Sequence, residues 1–149
     1  MTKLILTDQY IPIIGEGKAR WNNVHVADLA KVYLLLTEAA ISKKLDSELW
    51  LPKGYYLVEN GEHLWSDVAK SIARQAESVG VVGSLQEKKM SRDTAQKQAG
   101  FEAVSWGMNS RGKAERARKV LGWRPSAPSL EEEIPGIVQA EHERLQESV

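Results

Sequence analysis

A glycine-containing turn, a short strand and the start of a helix follow one another within sixteen residues, from position 15 to position 30. Tyr10–Ile14 and Ala19–Val26 are β-type runs, and the loop between them contains Gly15 and Gly17. Two such runs around a glycine loop predict a β-hairpin. Pro12 has no backbone N–H to donate, so we expect its strand at a sheet edge. This stretch therefore constrains the fold to a strand that passes almost directly into a helix.

The helix that follows this strand is apolar on more than one face. Asp28 lies in its predicted first turn, where the helix dipole favours a carboxylate, and the helical pattern extends to Ser42. One stripe consists of Leu29, Val32, Tyr33, Leu36 and Ala40, and other sides carry Leu34, Leu35 and Ile41. Leaving several such side chains in water costs on the order of 1.5 to 3 kcal/mol each. We therefore expect a homo-oligomer in which the helix from Asp28 to Ser42 is buried.

The remaining signals alternate between helix and strand and indicate an α/β fold of the α+β kind. The clearest periodicity predicts a helix over residues 65–79 that Gly80 ends, while residues 81–90 fit either a loop or a short strand. The other predicted elements are strands at Leu4–Leu6 and Gly54–Val58, a polar loop at Lys43–Glu48, a turn at Glu59–Glu62, and helices that Ser91, Ser110 and Ser129 would cap. We expect one domain over residues 1–149, with a small mixed sheet, a β-hairpin and about five helices.

Composition excludes several classes of partner. The 149 residues include 20 basic and 20 acidic side chains, so no overall field attracts nucleic acid or an anionic membrane. The chain has no cysteine, which excludes disulfides and thiolate chemistry. Only three consecutive apolar residues precede the first acidic side chain, too few for a signal or membrane-spanning segment. We therefore expect a cytoplasmic protein without nucleic-acid or membrane partners.

Five segments in a fixed order resemble the C-terminal half of NAD(P)-dependent epimerase/dehydratase-like extended short-chain dehydrogenases, in their fungal form. The segments are Trp21–Ala30, Gly54–Glu62, Trp65–Ala69, Asn109–Ala114 and Leu121–Pro125. The resemblance covers residues 10–140. It implies the last part of a nucleotide-binding sheet and most of a small substrate-binding lobe, with the catalytic half of such an enzyme preceding them.

The cofactor signals of that family are missing from this sequence. A dinucleotide site needs a glycine-rich turn between a strand and a helix, because glycine lets the backbone approach the pyrophosphate. Gly80 and Gly83 have the right interval but follow a predicted helix, so we interpret them as a loop. The family's catalytic tyrosine is followed four residues later by lysine, a pattern that none of the four tyrosines shows. We expect no bound cofactor and no independent hydride transfer.

The predicted ligand is small and largely apolar. Related sugar-nucleotide enzymes carry a diphosphate-binding arginine four residues before the histidine of the "HV" pair, where this chain has Trp21. Aromatic and polar side chains near the family motifs are the candidate substrate-binding residues, although each aromatic residue fits the core more often than a pocket. They are Trp21, Tyr55, Tyr56, Trp106, Met108, Asn109 and Arg111. Because residues 109–111 precede a predicted helix, they are also the first candidates for an anion site.

His25 is the best candidate for a general base, although a hydrogen-bonded structural role beside the helix is the more frequent use of such a histidine. The three histidines are far apart and have no cysteine near them, so no metal site is predicted. The basic residues from Arg111 to Lys119 fit a solvated face that pairs with Glu131–Glu133 better than a phosphate or nucleic-acid site.

Three functions remain open. The first is a stand-alone, truncated dehydrogenase-like protein that binds an apolar metabolite and, if it is an enzyme, performs non-redox chemistry of the isomerase, cyclase or lyase type. The chain also fits an inactive C-terminal fragment of an epimerase or reductase. A third reading is an interaction module that completes a partner enzyme. The residues before Tyr10 can supply a new edge strand, which favours an independently folding protein.

Overall fold

The computed structural model describes residues 1–42, 49–50 and 54–147, and within them it shows an α+β fold, as predicted. This part of the chain contains seven helices and two small two-stranded sheets. The α-helices are α1 (Thr2–Asp8), α2 (Val26–Ile41), α3 (Trp65–Ser78), α4 (Arg92–Ala99), α5 (Glu115–Val120) and α6 (Leu130–Glu147), with a 3₁₀ helix at Phe101–Gly107. The strands are β1 (Ile11–Ile14), β2 (Arg20–Asn22), β3 (Glu62–Leu64) and β4 (Glu87–Met90).

The chain folds as two compact units. Unit 1 comprises Met1–Trp21, His63–Ser110 and Glu131–Val149. Unit 2 comprises Asn22–Glu62 and Arg111–Leu130. Each unit is therefore assembled from segments that are distant in the sequence.

The predicted hairpin is wrong, because β1 and β2 have different partners. β1 pairs in parallel with β4, so that Ile11 lies opposite Glu87 and Ile14 opposite Met90. β2 pairs instead with β3. A parallel pair needs a long connection, and the residues that separate β1 from β4 include α3, so no local signal marks it.

The glycine turn after β1 is confirmed. Gly15 and Gly17 have φ values of 58° and 69°, which L side chains rarely adopt. The Gly17 N–H donates to the Ile14 carbonyl at 3.0 Å, and the Ser66 hydroxyl donates to the Gly17 carbonyl at 2.7 Å. The turn thus joins β1 to the start of α3 within unit 1.

The predicted strand at Leu4–Leu6 is wrong, because these residues belong to α1. All three side chains are buried, Leu4 in one apolar cluster and Ile5 and Leu6 in another. Successive residues of a helix point about 100° apart, so one short helix can serve two clusters. A half-buried strand would direct Ile5 away from both of its neighbours.

α3 and α4 agree closely with their sequence signals. α3 buries Ala69, Ile72 and Ala76 against Ile134 and Val138 of α6, although Val79 at its end is exposed rather than buried. The Ser91 hydroxyl caps α4 by accepting the Thr94 N–H at 3.1 Å, and Gly100 ends it. Residues 87–90 form the strand that the sequence left open.

Unit 2 contains α2, whose bounds agree with the prediction but whose buried side does not. Asp28, Val32 and Ala39 are buried, whereas Tyr33 and Ala40 of the predicted apolar stripe are exposed. The unit's apolar core joins Val32 to Ala114, Ala117 and Trp123. These partners come from beyond residue 110, so the sequence of α2 alone could not identify its inner face.

Two other predictions fail around unit 2. Gly54–Val58 is not in a strand, and β3 begins at Glu62, where a turn was predicted. The helix expected from Ser110 begins at Glu115, because Ser110 forms a parallel bridge with Trp21 in unit 1 and caps nothing. The polar loop predicted at Lys43–Glu48 lies outside the described residues.

Candidate functional site

A fully buried carboxylate, Asp28, organises unit 2. Its oxygens accept hydrogen bonds from Lys31 Nζ at 2.9 Å and from the backbone N–H groups of Ser126 at 2.9 and 3.1 Å and Ala127 at 3.0 Å. Burial opposes ionisation of Asp28, but these hydrogen bonds and the charge of Lys31 outweigh it and lower its pKa to about 2. The carboxylate is therefore ionised at neutral pH, and its oxygens are engaged in hydrogen bonds within the fold.

The Asp28 backbone completes this junction. Its carbonyl accepts the indole N–H of the buried Trp123 at 2.8 Å. Two of the segments that carry the family resemblance, Trp21–Ala30 and Leu121–Pro125, thus meet at one residue. Sequence reasoning assigned Asp28 only a helix-dipole role; the signal it missed was an acid at an inward position of an apolar helix.

His25 occupies the structural role that the sequence analysis set beside the catalytic one. It is the N-cap of α2, and its Nδ1 accepts the Ala27 N–H at 3.1 Å. A capping nitrogen has its lone pair engaged by the backbone and is poorly placed to accept a proton from a ligand. His25 also lines neither of the two cavities described next.

Unit 2 contains a cavity of about 700 Å³ between α2 and the end of α5. Polar and apolar atoms contribute about equally to its surface, and its described lining residues include one carboxylate and one hydroxyl. The lining residues are Leu35, Glu38, Ala39, Ser42, Leu49, Val120 and Leu121. The Tyr56 hydroxyl donates to the Leu49 carbonyl at 3.0 Å, which holds this part of the wall in place.

The predicted binding residues of unit 2 do not line this cavity. Tyr56 packs against the core, with the Arg116 guanidinium 4.9 Å from its ring centroid, while Tyr55 is exposed. Arg111 forms a two-pronged ion pair with Glu62, with contacts of 2.8 and 3.2 Å. Because its guanidinium is already neutralised, Arg111 is a weak candidate for a free anion site.

The predicted binding residues of unit 1 are likewise dispersed. Trp106 is buried in an apolar cluster, and Met108 is exposed. Trp21 contacts Trp65 edge to face, with 6.2 Å between ring centroids. The Asn109 side chain accepts the Arg20 N–H at 2.7 Å. Residues 109–111 do not precede a helix directly, since α5 begins at Glu115, so the geometry expected of a helix-terminal anion site is wrong.

A second cavity, of about 510 Å³, lies beside the glycine turn of unit 1. It is lined by Ile14, Gly15, Glu16, Lys18, Ala19, Ser91, Arg92, Gly107 and Asn109. Asn109 is the only predicted binding residue among them. Charged side chains of both signs surround this cavity, so its chemistry differs from the apolar ligand class that the sequence indicates.

The basic segment after Arg111 pairs with acids of its own unit. Arg111 binds Glu62, and Arg118 lies 3.8 Å from the Glu59 carboxylate while donating to the Glu59 carbonyl at 3.1 Å. The Arg118 guanidinium also covers the Trp123 ring at 5.3 Å. Within unit 2, Arg111 and Arg118 therefore pair with Glu62 and Glu59, and pairing of the basic segment with residues 131–133 stays a prediction.

The described residues do not fit a dinucleotide pyrophosphate. Gly80 and Gly83 follow the end of α3, and the turn at Gly15 and Gly17 connects two strands. Neither glycine turn stands between a strand and a helix, the arrangement that directs N–H groups at a pyrophosphate. Across the described ranges, no group of three or more His, Asp or Glu side chains could hold a metal ion. No helix in the described part of the chain is long and apolar enough to cross a membrane.

Comparison with known proteins gives one informative likeness. No family model matches the chain, and no solved structure matches it. The chain is similar to a protein named oxidase ucsJ from Acremonium sp., with 35% identity over 138 residues. That match covers 89% of this chain and 40% of the relative. The chain thus spans about two fifths of the length of the curated relative that it matches.

Proposed function

We propose that this protein is a short-chain-dehydrogenase-like substrate lobe that binds a small, largely apolar metabolite in the cavity of unit 2. The observation that carries the proposal is that this cavity combines a wall of apolar side chains with polar groups. Its volume of about 700 Å³ lies within the usual range for small-molecule sites. Apolar walls with few polar groups are typical of such sites, because the walls supply affinity and the polar groups fix orientation.

The lining defines the chemistry of the ligand. Leu35 and Ala39 of α2 form one apolar wall, and Val120 and Leu121 belong to the end of α5 and its cap. Among the described lining residues, Glu38 and Ser42 carry the polar side chains. A carboxylate accepts hydrogen bonds, so the complementary ligand has an apolar body and a hydroxyl or amine donor at one end.

Contacts within unit 2 hold the walls of the cavity in place. Trp123 and Ser126 are bonded to Asp28, which ties the chain after α5 to the first turn of α2. Tyr56 holds Leu49. A cavity whose walls are fixed before a ligand arrives loses less conformational entropy on binding.

If the protein catalyses a reaction, Glu38 is the group among the described lining residues that can move a proton. Its carboxylate can take a proton from one ligand atom and return it to another, which is sufficient for an isomerisation or a cyclisation without net redox change. We assign this role to Glu38 in place of His25, because His25 caps α2 and does not line the cavity.

The relative is named an oxidase, which supports a function of this chain in the chemistry of small metabolites. Since the match covers 40% of that protein, we attribute to this chain a lobe that recognises a substrate and leave electron transfer outside it. A second candidate, a module that completes a partner enzyme, is supported by the exposed apolar side chains of α2. A cytoplasmic location remains a prediction from the sequence.

Mass spectrometry of small molecules released from the purified protein tests the proposal. We expect an apolar compound bearing a hydroxyl or amine. Ser42→Trp should displace it, because the indole enters the cavity from an exposed position at the end of α2. Ser84→Trp, at an exposed loop position of unit 1, is the matched control and should retain it.

Titration with NADH and NADPH is the complementary measurement. We expect no saturable binding of either dinucleotide. Tight binding of one of them, or equal retention of the released compound by Ser42→Trp and Ser84→Trp, would contradict the proposed site.

A further inference from the structure

The outward side of α2 carries a continuous apolar stripe. Val26, Tyr33, Leu34 and Ile41 are 74%, 66%, 57% and 76% exposed, and Ala30 and Thr37 lie exposed between them. At 100° per residue these six residues share one side of the helix, and none of them carries a charge. Contiguous apolar patches of this kind mark interaction surfaces more often than isolated exposed residues do.

The stripe is symmetric about its own midpoint, between Tyr33 and Leu34. The two central positions are large, the next positions outward, Ala30 and Thr37, are small, and the outermost positions, Val26 and Ile41, are β-branched. Reversing the direction of α2 therefore leaves the order of sizes unchanged. A twofold interface requires this self-complementarity, since residue i of one copy contacts residue j of the other and j contacts i.

We propose that two copies of this chain pair through α2 in antiparallel orientation, with the twofold axis passing between Tyr33 and Leu34. In this register Tyr33 lies beside Tyr33 and Leu34 beside Leu34 of the second copy around the axis, Ala30 lies opposite Thr37, and Val26 lies opposite Ile41. The small residues at Ala30 and Thr37 let the two backbones approach on either side of the central contact. The opposed helix dipoles also favour the antiparallel direction over the parallel one.

The charges beside the stripe agree with this direction. Lys31 and Glu38 lie on the same flank of α2. In an antiparallel pair the same flanks meet, so Glu38 of one copy lies within about two residues, roughly 3 Å along the axis, of Lys31 of the second copy. A parallel pair would instead place Glu38 beside the flank of Leu29 and Leu36.

The buried area supports a second copy as the occupant. The four large side chains would remove on the order of 1,000 Å² from water over both copies, the lower limit for a specific interface. The Leu35 and Ala39 wall of the unit 2 cavity lies on the other side of α2. Glu38 belongs both to the cavity lining and to the flank that meets Lys31, so pairing is tested by crosslinking and association and not by ligand binding.

Single cysteines test the register directly, because the chain has none of its own. We expect an equimolar mixture of Ala30→Cys and Thr37→Cys proteins to form a disulfide-linked dimer on mild oxidation. Each variant alone should stay uncrosslinked, because equivalent positions are about 10 Å apart along the axis, beyond disulfide reach. Crosslinking of the separate variants, or none in the mixture, would overturn the proposal.

Sedimentation equilibrium of the full chain is the second test, because it measures the association of the two copies. We expect a dimer, and Leu34→Glu should raise its dissociation constant roughly 100-fold, because two carboxylates would enter an apolar contact. Val79→Glu makes the same kind of change at an exposed position at the end of α3 and should leave the constant unchanged. A monomeric wild-type protein, or equal effects of the two variants, would overturn the proposal.

Discussion

At the scale of single residues, the role of Asp28 in the structure differs from the role that the sequence motif predicts. The sequence places Asp28 in the first turn of a helix, where the helix dipole stabilises a negative charge. That effect alone accounts for an acid at this position. The structure shows that it also binds the backbone of Ser126 and Ala127, almost one hundred residues away. This role depends on tertiary contacts, which the spacing of residues within α2 cannot predict.

We expect Asp28→Asn to lower the free energy of unfolding at neutral pH by about 2 to 4 kcal/mol, because Lys31 and two backbone N–H groups lose a buried negative partner. The folded-state pKa of Asp28, about 2, lies below its ordinary value of 3.8. Its ionised form therefore stabilises the fold above the ordinary value, and this stabilisation is lost as the pH falls towards 2.

Urea titrations of wild type and Asp28→Asn between pH 7 and pH 2.5 measure the effect. The difference between them should be constant above about pH 5 and shrink below it. Asp67→Asn, at an exposed acid in the first turn of α3, serves as the control and should cost little at any pH. A difference that is independent of pH would contradict this role of Asp28.

Tyr56 is a second residue whose role differs from its predicted one. We expect Tyr56→Phe to cost about 1 kcal/mol of stability and to weaken ligand binding, because it removes the hydrogen bond that holds Leu49 at the cavity. The neighbouring exposed Tyr55 offers a matched control, Tyr55→Phe. Thermal melts and ligand titrations that fail to separate the two variants would argue against this role.

At the scale of elements, the sequence predicted helices better than strand partners. The α3 and α4 signals are local, namely periodicity, the Ser91 cap and the stops at Gly80 and Gly100, and the structure confirms them. Pairing of β1 with β4 depends on contacts across more than seventy residues. Likewise, the candidate site was expected along the family motifs, whereas the walls of the unit 2 cavity come from the inner side of α2 and the end of α5.

The turn after β1 offers a comparison between two glycines. A Cβ at Gly17 would lie 3.0 Å from Ile13 Cγ2 and 3.2 Å from Ser66 Cβ, whereas one at Gly15 meets nothing within 4 Å. Both residues have positive φ, which costs other residues roughly 1 to 2 kcal/mol. We therefore expect Gly17→Ala to be more destabilising than Gly15→Ala, by about 1 kcal/mol or more.

Urea denaturation of the two variants, with wild type as reference, measures this difference. Equal losses of unfolding free energy would show that the approach to Ile13 and Ser66 adds nothing to the cost of the backbone conformation.

At the scale of the whole molecule, balanced charge and the absence of cysteine set broad limits, but the sequence could not indicate two units built from interleaved segments. Charged side chains of both signs line the cavity of unit 1, whereas the described lining of the unit 2 cavity has one charged side chain, Glu38. Where a small apolar molecule binds is therefore the decisive question for this protein.

Amide chemical-shift mapping with 1-hexanol, a probe with an apolar body and one hydroxyl, tests that claim most directly. We expect saturable shifts confined to residues 35–42, 49 and 120–121, and their loss in Ser42→Trp but not in Ser84→Trp. Saturable shifts confined to the unit 1 cavity, at residues 14–19, 91–92 and 107–109, would contradict the assignment of the site to unit 2.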